Sequence, residues 1–208
     1  ANWNAVAGAT GYRLDVATSS DFTSGGGTTS TVFRETMGTV GGTTTIAAHE
    51  SANGFDNDGY TMAQGGAANP ADLRATSTSS GYTDPAGNAA SGSANIYHTS
   101  TAGDYGFSIA GINSTGYAYL QLSFGYRKEA AGNNATFSLE WSTNSGTAWN
   151  TITVSNMPAE AAAAGWYMVT NLGLSASAIS DNLSLRWVKT GGTAMRVDDV
   201  LLRGITAG

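Results

Sequence analysis

Two adjacent carboxylates, Asp198 and Asp199, interrupt an otherwise apolar run in Thr193-Ala-Met-Arg-Val-Asp-Asp-Val-Leu-Leu-Arg-Gly204. Val197, Val200, Leu201 and Leu202 mark that run as a β-strand with apolar groups on both faces. Carboxylates inside such a strand are costly unless a cation, a basic side chain or water takes their charge. Arg196, Arg186 and Arg74 are basic side chains that could pair with them. An oxygen-seeking cation is the other solution. Phe55-Asp56-Asn57-Asp58-Gly59 is a second candidate, because Asp-x-Asp-Gly spacing lets oxygen ligands converge at a glycine turn, as calcium prefers. The same residues also suit an ordinary hairpin turn. The twelve-residue EF-hand loop is not matched, since no Glu stands at its closing position.

Nothing in the chain points as clearly to catalysis. The histidines are His49, beside Glu50 in a turn-rich region, and His98, after Tyr97 in an expected strand. No Gly-x-Ser-x-Gly elbow accompanies them. Glycoside cleavage needs two acids set across a cleft, and no motif singles out such a pair among the fifteen acids. The expectation is a protein that is not an enzyme. Sugar binding instead needs exposed aromatic faces with polar neighbours. Tyr60, Tyr82, Tyr97, Tyr105, Tyr117, Tyr119, Trp149 and Trp166 are the candidates, while Trp141 and Trp187 continue apolar faces and read as core.

The elements that must hold these residues are strands. Tyr117–Lys128 alternates Leu120, Leu122 and Phe124 with polar or small residues, and Ala135–Ser142 does so with Phe137, Leu139 and Trp141. Trp149–Ser155, Gly165–Gly173 and Asn182–Thr190 follow, the last with Leu183, Leu185 and Trp187 on one face. Strands of this period, each with one apolar side, require two packed antiparallel sheets. Short strands are expected at Thr44–Ala48, Gly59–Ala63 and Ala94–Thr99 within a glycine-rich stretch from Gly41 to Gly103, and the one helical candidate is Pro158–Gly165.

Composition agrees and removes several function classes. Of 208 residues 28 are Gly and only 12% are charged, which suits an all-β chain with many turns. Fifteen acids against nine bases give a net charge of −6, with no basic run, so nucleic acid is not an expected partner. No stretch approaches the ~20 apolar residues of a membrane span. Cysteine is absent, which removes disulfides and thiolate chemistry. A Lys-poor, Thr/Ser/Gly/Asn-rich chain with no signal-peptide pattern is read as a mature bacterial protein exported to the cell surface or medium.

Several segments carry a resemblance. Arg196-Val-Asp-Asp-Val-Leu-Leu-Arg-Gly204 looks like the closing strand of bacterial jelly-roll modules of the carbohydrate-binding type, and Phe33-Arg-Glu35 resembles their opening strand. With Asp72-Leu-Arg-Ala-Thr76, Gly92-Ser-Ala-Asn-Ile-Tyr-His98 and Ile112-Asn-Ser-Thr-Gly-Tyr117, nearly the whole chain resembles a unit of large secreted Bacteroidetes-type proteins. Trp3 and Tyr12, in Asn2–Val16, resemble two strands of a fibronectin type III domain. The resemblance implies a partial fibronectin-like hairpin over residues 1–22, a Gly/Thr/Ser-rich linker over 23–31 and a jelly-roll sandwich over 32–208. It also implies a structural calcium held by Glu35 with Asp198 or Asp199, tying first and last strands together.

Two functions follow as expectations. The first is a structural or adhesive surface subunit that assembles with copies of itself, or with neighbouring domains, through β-strand contacts. The second is a carbohydrate-binding module of a secreted polysaccharide-active enzyme, with polysaccharide as its partner.

Overall fold

The computed structural model describes residues 27–207, and among them thirteen strands form two sheets. They are β1 (Thr29–Glu35), β2 (Thr43–Thr45), β3 (Thr61–Ala63), β4 (Asn69–Pro70), β5 (Asp72–Arg74), β6 (Asn95–His98) and β7 (Tyr105–Ile112). The longer second half adds β8 (Tyr119–Lys128), β9 (Ala135–Ser142), β10 (Asn150–Thr151), β11 (Gly165–Gly173), β12 (Leu183–Gly192) and β13 (Met195–Ile205). One sheet has seven strands in the order β11-β8-β13-β6-β5-β2, with β1 also paired to β13. The other has six in the order β10-β9-β12-β7-β3, with β4 on β7. Every pairing is antiparallel except β4 with β7. The all-β, two-sheet sandwich expected from alternation is the fold observed. No helix among the described residues is long and apolar enough to cross a membrane.

The inward face of each strand supplies the core. Leu183, Leu185 and Trp187 of β12 and Phe107 and Ile109 of β7 meet Leu122, Phe124 and Tyr126 of β8 and Val197, Val200 and Leu202 of β13, all fully buried. Trp187 stacks on Phe107 at 5.9 Å and takes Phe124 edge-on at 5.5 Å, so one indole joins both sheets. Trp141 and Trp187 are core, as their alternation implied.

Three local expectations are corrected, and one strand, β7, is additional. The segment Thr44–Ala48 is strand only to Thr45 and then becomes helix α1 (Ile46–Ser51). The Thr45 hydroxyl accepts the Ala48 N–H at 3.1 Å as an N-cap, and Ile46 and His49, three apart, face the core. β7 was not foreseen, because Gly106, Ala110 and Gly111 dilute its alternation. Gly106 is required there, since a Cβ would strike the Gln64 carbonyl and the Ala67 side chain. Pro158–Gly165 holds no helix, and strand in Trp149–Ser155 shrinks to β10.

The hairpin expected over residues 1–22 lies outside the described residues, as do residues 23–26 of the 23–31 linker. Within that linker span Thr29, Ser30 and Thr31 are already strand, because they pair with Ile205, Gly204 and Arg203 of β13.

Candidate functional site

β13 lies between β8 on one side and β6 and β1 on the other, and its pairing with β8 slips between Asp198 and Leu201. Asp199 takes a left-handed backbone there, φ 46°. In a regular strand neighbouring side chains face opposite sides. This bulge instead brings both carboxylates to Ser91: the Ser91 hydroxyl donates to Asp198 Oδ2 at 3.4 Å, and its N–H donates to Asp199 Oδ2 at 3.0 Å. The Tyr82 hydroxyl donates to the same Asp199 oxygen at 2.6 Å, reaching the sheet over Gly125, where any Cβ would occupy its place.

The basic partner is Arg34 of β1, not Arg196, Arg186 or Arg74. Its Nη2 lies 3.5 Å from Asp199 Oδ1, and its Nε lies 3.5 Å from Asp84 Oδ2. Arg196 pairs with Glu129, Arg186 with Glu140 and Arg74 with Asp72. Burial, then the Asp199 charge, push the Asp198 carboxyl well above its ordinary range. Burial and the bond to Asp199 push the Tyr82 hydroxyl up as well, so it remains a donor. Burial also acts upward on Asp84, but the hydrogen bonds from Asn88 and Ala86, with Arg34, outweigh it and leave that carboxyl low. The group therefore pins the segment 75–94 across the outside of the seven-stranded sheet. Arg203 to the Pro85 carbonyl at 3.2 Å, Trp166 to the Ser77 carbonyl at 2.9 Å and Arg196 to the Thr76 carbonyl at 3.0 Å extend the attachment.

Glu35 sits on β1 opposite Val200, one residue from the pair, yet its carboxylate faces another corner. Oε1 accepts the N–H groups of Met37 at 2.8 Å and Asp56 at 3.0 Å, and Oε2 accepts Asn57 Nδ2 at 2.9 Å. Burial raises its pKa against those hydrogen bonds. Asp56 Oδ2 in turn accepts the N–H and hydroxyl of Thr36, at 2.9 and 2.5 Å. Asp58 is exposed in a turn closed by the Tyr60 N–H to the Asn57 carbonyl at 3.2 Å. Calcium takes six to eight oxygens, whereas these carboxylates are met by N–H and O–H donors and a guanidinium. Among the described residues no three His, Asp or Glu side chains group as metal ligands would. The residues present thus do not fit the composite calcium implied by the resemblance.

The outer face of the six-stranded sheet is built differently. Between the buried Leu183, Leu185 and Trp187 of β12, Ser184 and Arg186 point outward, and Ser108 and Ala110 do so on β7. Ser184, Ser108 and Ala110 floor a groove of about 350 Å³. Gly65 and Gly66 form one wall, both at positive φ, and a Cβ on Gly65 would meet the Ser108 side chain. Trp149 and Asn182 stand on the other side.

The Trp149 wall is fixed by its turn. Asn144 Oδ1 accepts the Ala148 N–H at 2.9 Å, and the Ser142 hydroxyl accepts the Gly146 N–H at 3.1 Å. Arg186 holds the two walls together: its guanidinium lies 4.1 Å from the Trp149 ring centroid, Nη1 donates to the Gly65 carbonyl at 2.8 Å, and Nε pairs with Glu140. Ser184 is 2% exposed, and its Oγ has no hydrogen-bond partner. Two other depressions, near Ile46 and near Val40, have no aromatic wall.

None of the other aromatic candidates lines this groove. Tyr60 packs edge-on against Phe33, Tyr97 lies between Arg74 and Arg196, and Tyr117 bonds the Ser30 hydroxyl. Trp166 packs near Tyr82, while Tyr119 is exposed apart from any groove described above. Neither histidine is placed for proton transfer to a ligand. His49 bonds the Met37 carbonyl at 3.1 Å and packs on Phe55. His98 is sealed between the sheets. Burial is the main cause that holds its pKa at about 3, with the Trp187 backbone acting the other way and Lys189 adding repulsion. Sequence reasoning named Trp149 only as one of eight aromatics, offered Arg186 to the Asp198-Asp199 pair instead of to Trp149 and Glu140, and missed Arg34 and Ser184, since only strand register brings them to their places.

No protein-family model and no curated protein matches the chain. Among solved structures it is similar to the K3 cleaved adhesin domain of Lys-gingipain from Porphyromonas gingivalis W83, at 15% identity and TM-score 0.40, over 70% of this chain and 92% of that one. The K2 cleaved adhesin domain of Lys-gingipain matches at 12% identity and TM-score 0.40, over 72% and 89%. TmCBM61, solved in complex with β-1,4-galactotriose, matches at 12% identity and TM-score 0.31, over 71% and 83%.

Proposed function

We propose that this chain is a non-catalytic binding module of adhesive type, working outside the bacterial cell, whose ligand is a polysaccharide seated in the Trp149 groove. The observation that carries the reading is the pairing of an immobilised indole with a floor of small and hydroxyl side chains. Sugar C–H faces pack on such a ring while their hydroxyls meet the polar floor. The non-catalytic part of the reading is supported by the two histidines, one bonded to a backbone carbonyl and one sealed in the core.

Assembly through strand addition has less support. β11 and β1, the long strands paired along one side only in the seven-stranded sheet, each carry a register slip, and the Asn156 side chain covers the β11 Thr170 carbonyl at 2.7 Å. The outermost strands of the six-stranded sheet are only two or three residues long. Short and bulged edges discourage strand pairing between chains. Affinity electrophoresis of the wild type and Trp149→Ala against a panel of glycans tests the proposal. Retardation by a glycan that Trp149→Ala loses is the expected result. Equal retardation of both proteins by every glycan would remove the groove from the account.

A further inference from the structure

We infer that the groove selects an uncharged glycan, that Ser184 supplies its buried hydrogen bond, and that Arg186 is a positioning residue that never touches the ligand. This rests on the reading of the groove as a saccharide site. The groove is lined by Ser, Ala, Gly, Asn and Trp only, without an acid or a base. The nearest cation, Arg186, has its charge met by Glu140, one nitrogen committed to Gly65 and its flat face against Trp149. An acidic sugar would enter without a counter-charge, into a protein of net charge −6.

Ser184 is the unusual member. A hydroxyl this deeply buried normally finds a partner, and the Ser184 Oγ has none. It stands in the floor with its Oγ closed off from solvent, so a rotation about χ1 must turn the hydroxyl toward the groove for a ligand to complete the bond. Arg186 works at one remove: by holding Gly65 and the indole at once, it fixes the width of the groove before anything binds, which spares the ligand the ordering of its site.

The test measures dissociation constants by calorimetry for neutral glycans (xyloglucan, galactan, mixed-linkage glucan) and acidic ones (alginate, polygalacturonate), at low and at ~0.5 M salt. Binding of at least one neutral glycan, unaffected by salt, with no acidic glycan bound, is expected. Ser184→Ala should weaken it about tenfold, as one lost buried hydrogen bond implies. Arg186→Gln should weaken it by a similar factor, and Arg186→Lys, which keeps a cation against the ring, should restore most of it. Melting curves check the fold of each variant, and Ser184→Ala still decides the matter if Arg186→Gln does not fold.

Tight, salt-sensitive binding of an acidic glycan would overturn this inference and leave the saccharide reading standing. Unchanged affinity in Ser184→Ala would overturn the assigned contact. Failure of every glycan in either class would sink the saccharide reading itself.

Discussion

Outside the seven-stranded sheet, the segment from Ala75 to Ala94 lies over two carboxylates that Arg34, Tyr82 and Ser91 hold in place. Outside the six-stranded sheet, two short loops leave an open trough whose lining carries no charge. Charge serves opposite ends on the two sides. On the closed face it is buried to fasten a covering segment. On the open face the ion pair Arg186–Glu140 is set beside the trough, where it stiffens the walls and leaves the floor neutral. Burying charge for attachment is defensible only when every partner is present, so the closed face should be brittle and the open one tolerant.

The contrast can be tested against the interior both faces share. Val197→Asp places an unpaired charge at a fully buried position on β13 and should unfold the domain, a loss of more than ~4 kcal/mol. A soluble variant with wild-type melting would show that β13 is not the common support. Protonation of His98 comes next. Its pKa falls from 6.5 to about 3 in the fold, so the unfolded chain binds the proton first as pH drops. Stability should decline from pH 6.5 toward pH 3, by up to roughly 5 kcal/mol from this group. Glu35 and Asp198, with raised pKa values, act in the opposite direction. Denaturant titration of wild type and His98→Gln across that range isolates the histidine, and parallel curves would refute its burial.

Tyr82→Phe deprives Asp199 of its 2.6 Å donor. A loss of about 1–3 kcal/mol is expected, together with faster proteolysis within 75–94 and no change in glycan retention. Loss of retention would mean that the faces are not independent. The smallest effect belongs to Asp198→Asn. Burial and the Asp199 charge raise the Asp198 pKa, so its ionised form is a burden that grows as pH rises through that value and vanishes below the ordinary 3.8. The amide keeps an acceptor for the Asp199 N–H. Melting at pH 7 should therefore stay level or rise slightly, and a clear fall would show that the charge itself holds the segment down.

Much of the sandwich was legible because β8, β9 and β12 are long and alternate, while β11 and β13 are long segments rich in apolar residues. β7, at the heart of the six-stranded sheet, was not, since its close approach to Gln64 and Ala67 demands Gly106 and so erases the pattern. For the sites, residue chemistry was legible and register was not. That Asp198 and Asp199 need a partner follows from their neighbours. That the partner is Arg34 follows only from the pairing of β1 with β13, in which Arg34 faces Leu201. Glu35, one residue on, turns to Met37, Asp56 and Asn57, a choice set by a turn more than twenty residues away. Ser184 could not stand out in a chain this rich in serine. Its significance depends on the indole across the groove.

The position of β13 also bears on how the molecule comes together in time. Three strands drawn from distant parts of the sequence, β1, β6 and β8, have no common partner except this one. During synthesis they must wait, edges bare, until residues 195–205 arrive. Such long-range closure is slow, and a chain stalled before that point would present three sticky borders to its neighbours. The strand that anchors the finished sheet is thus also its timing step.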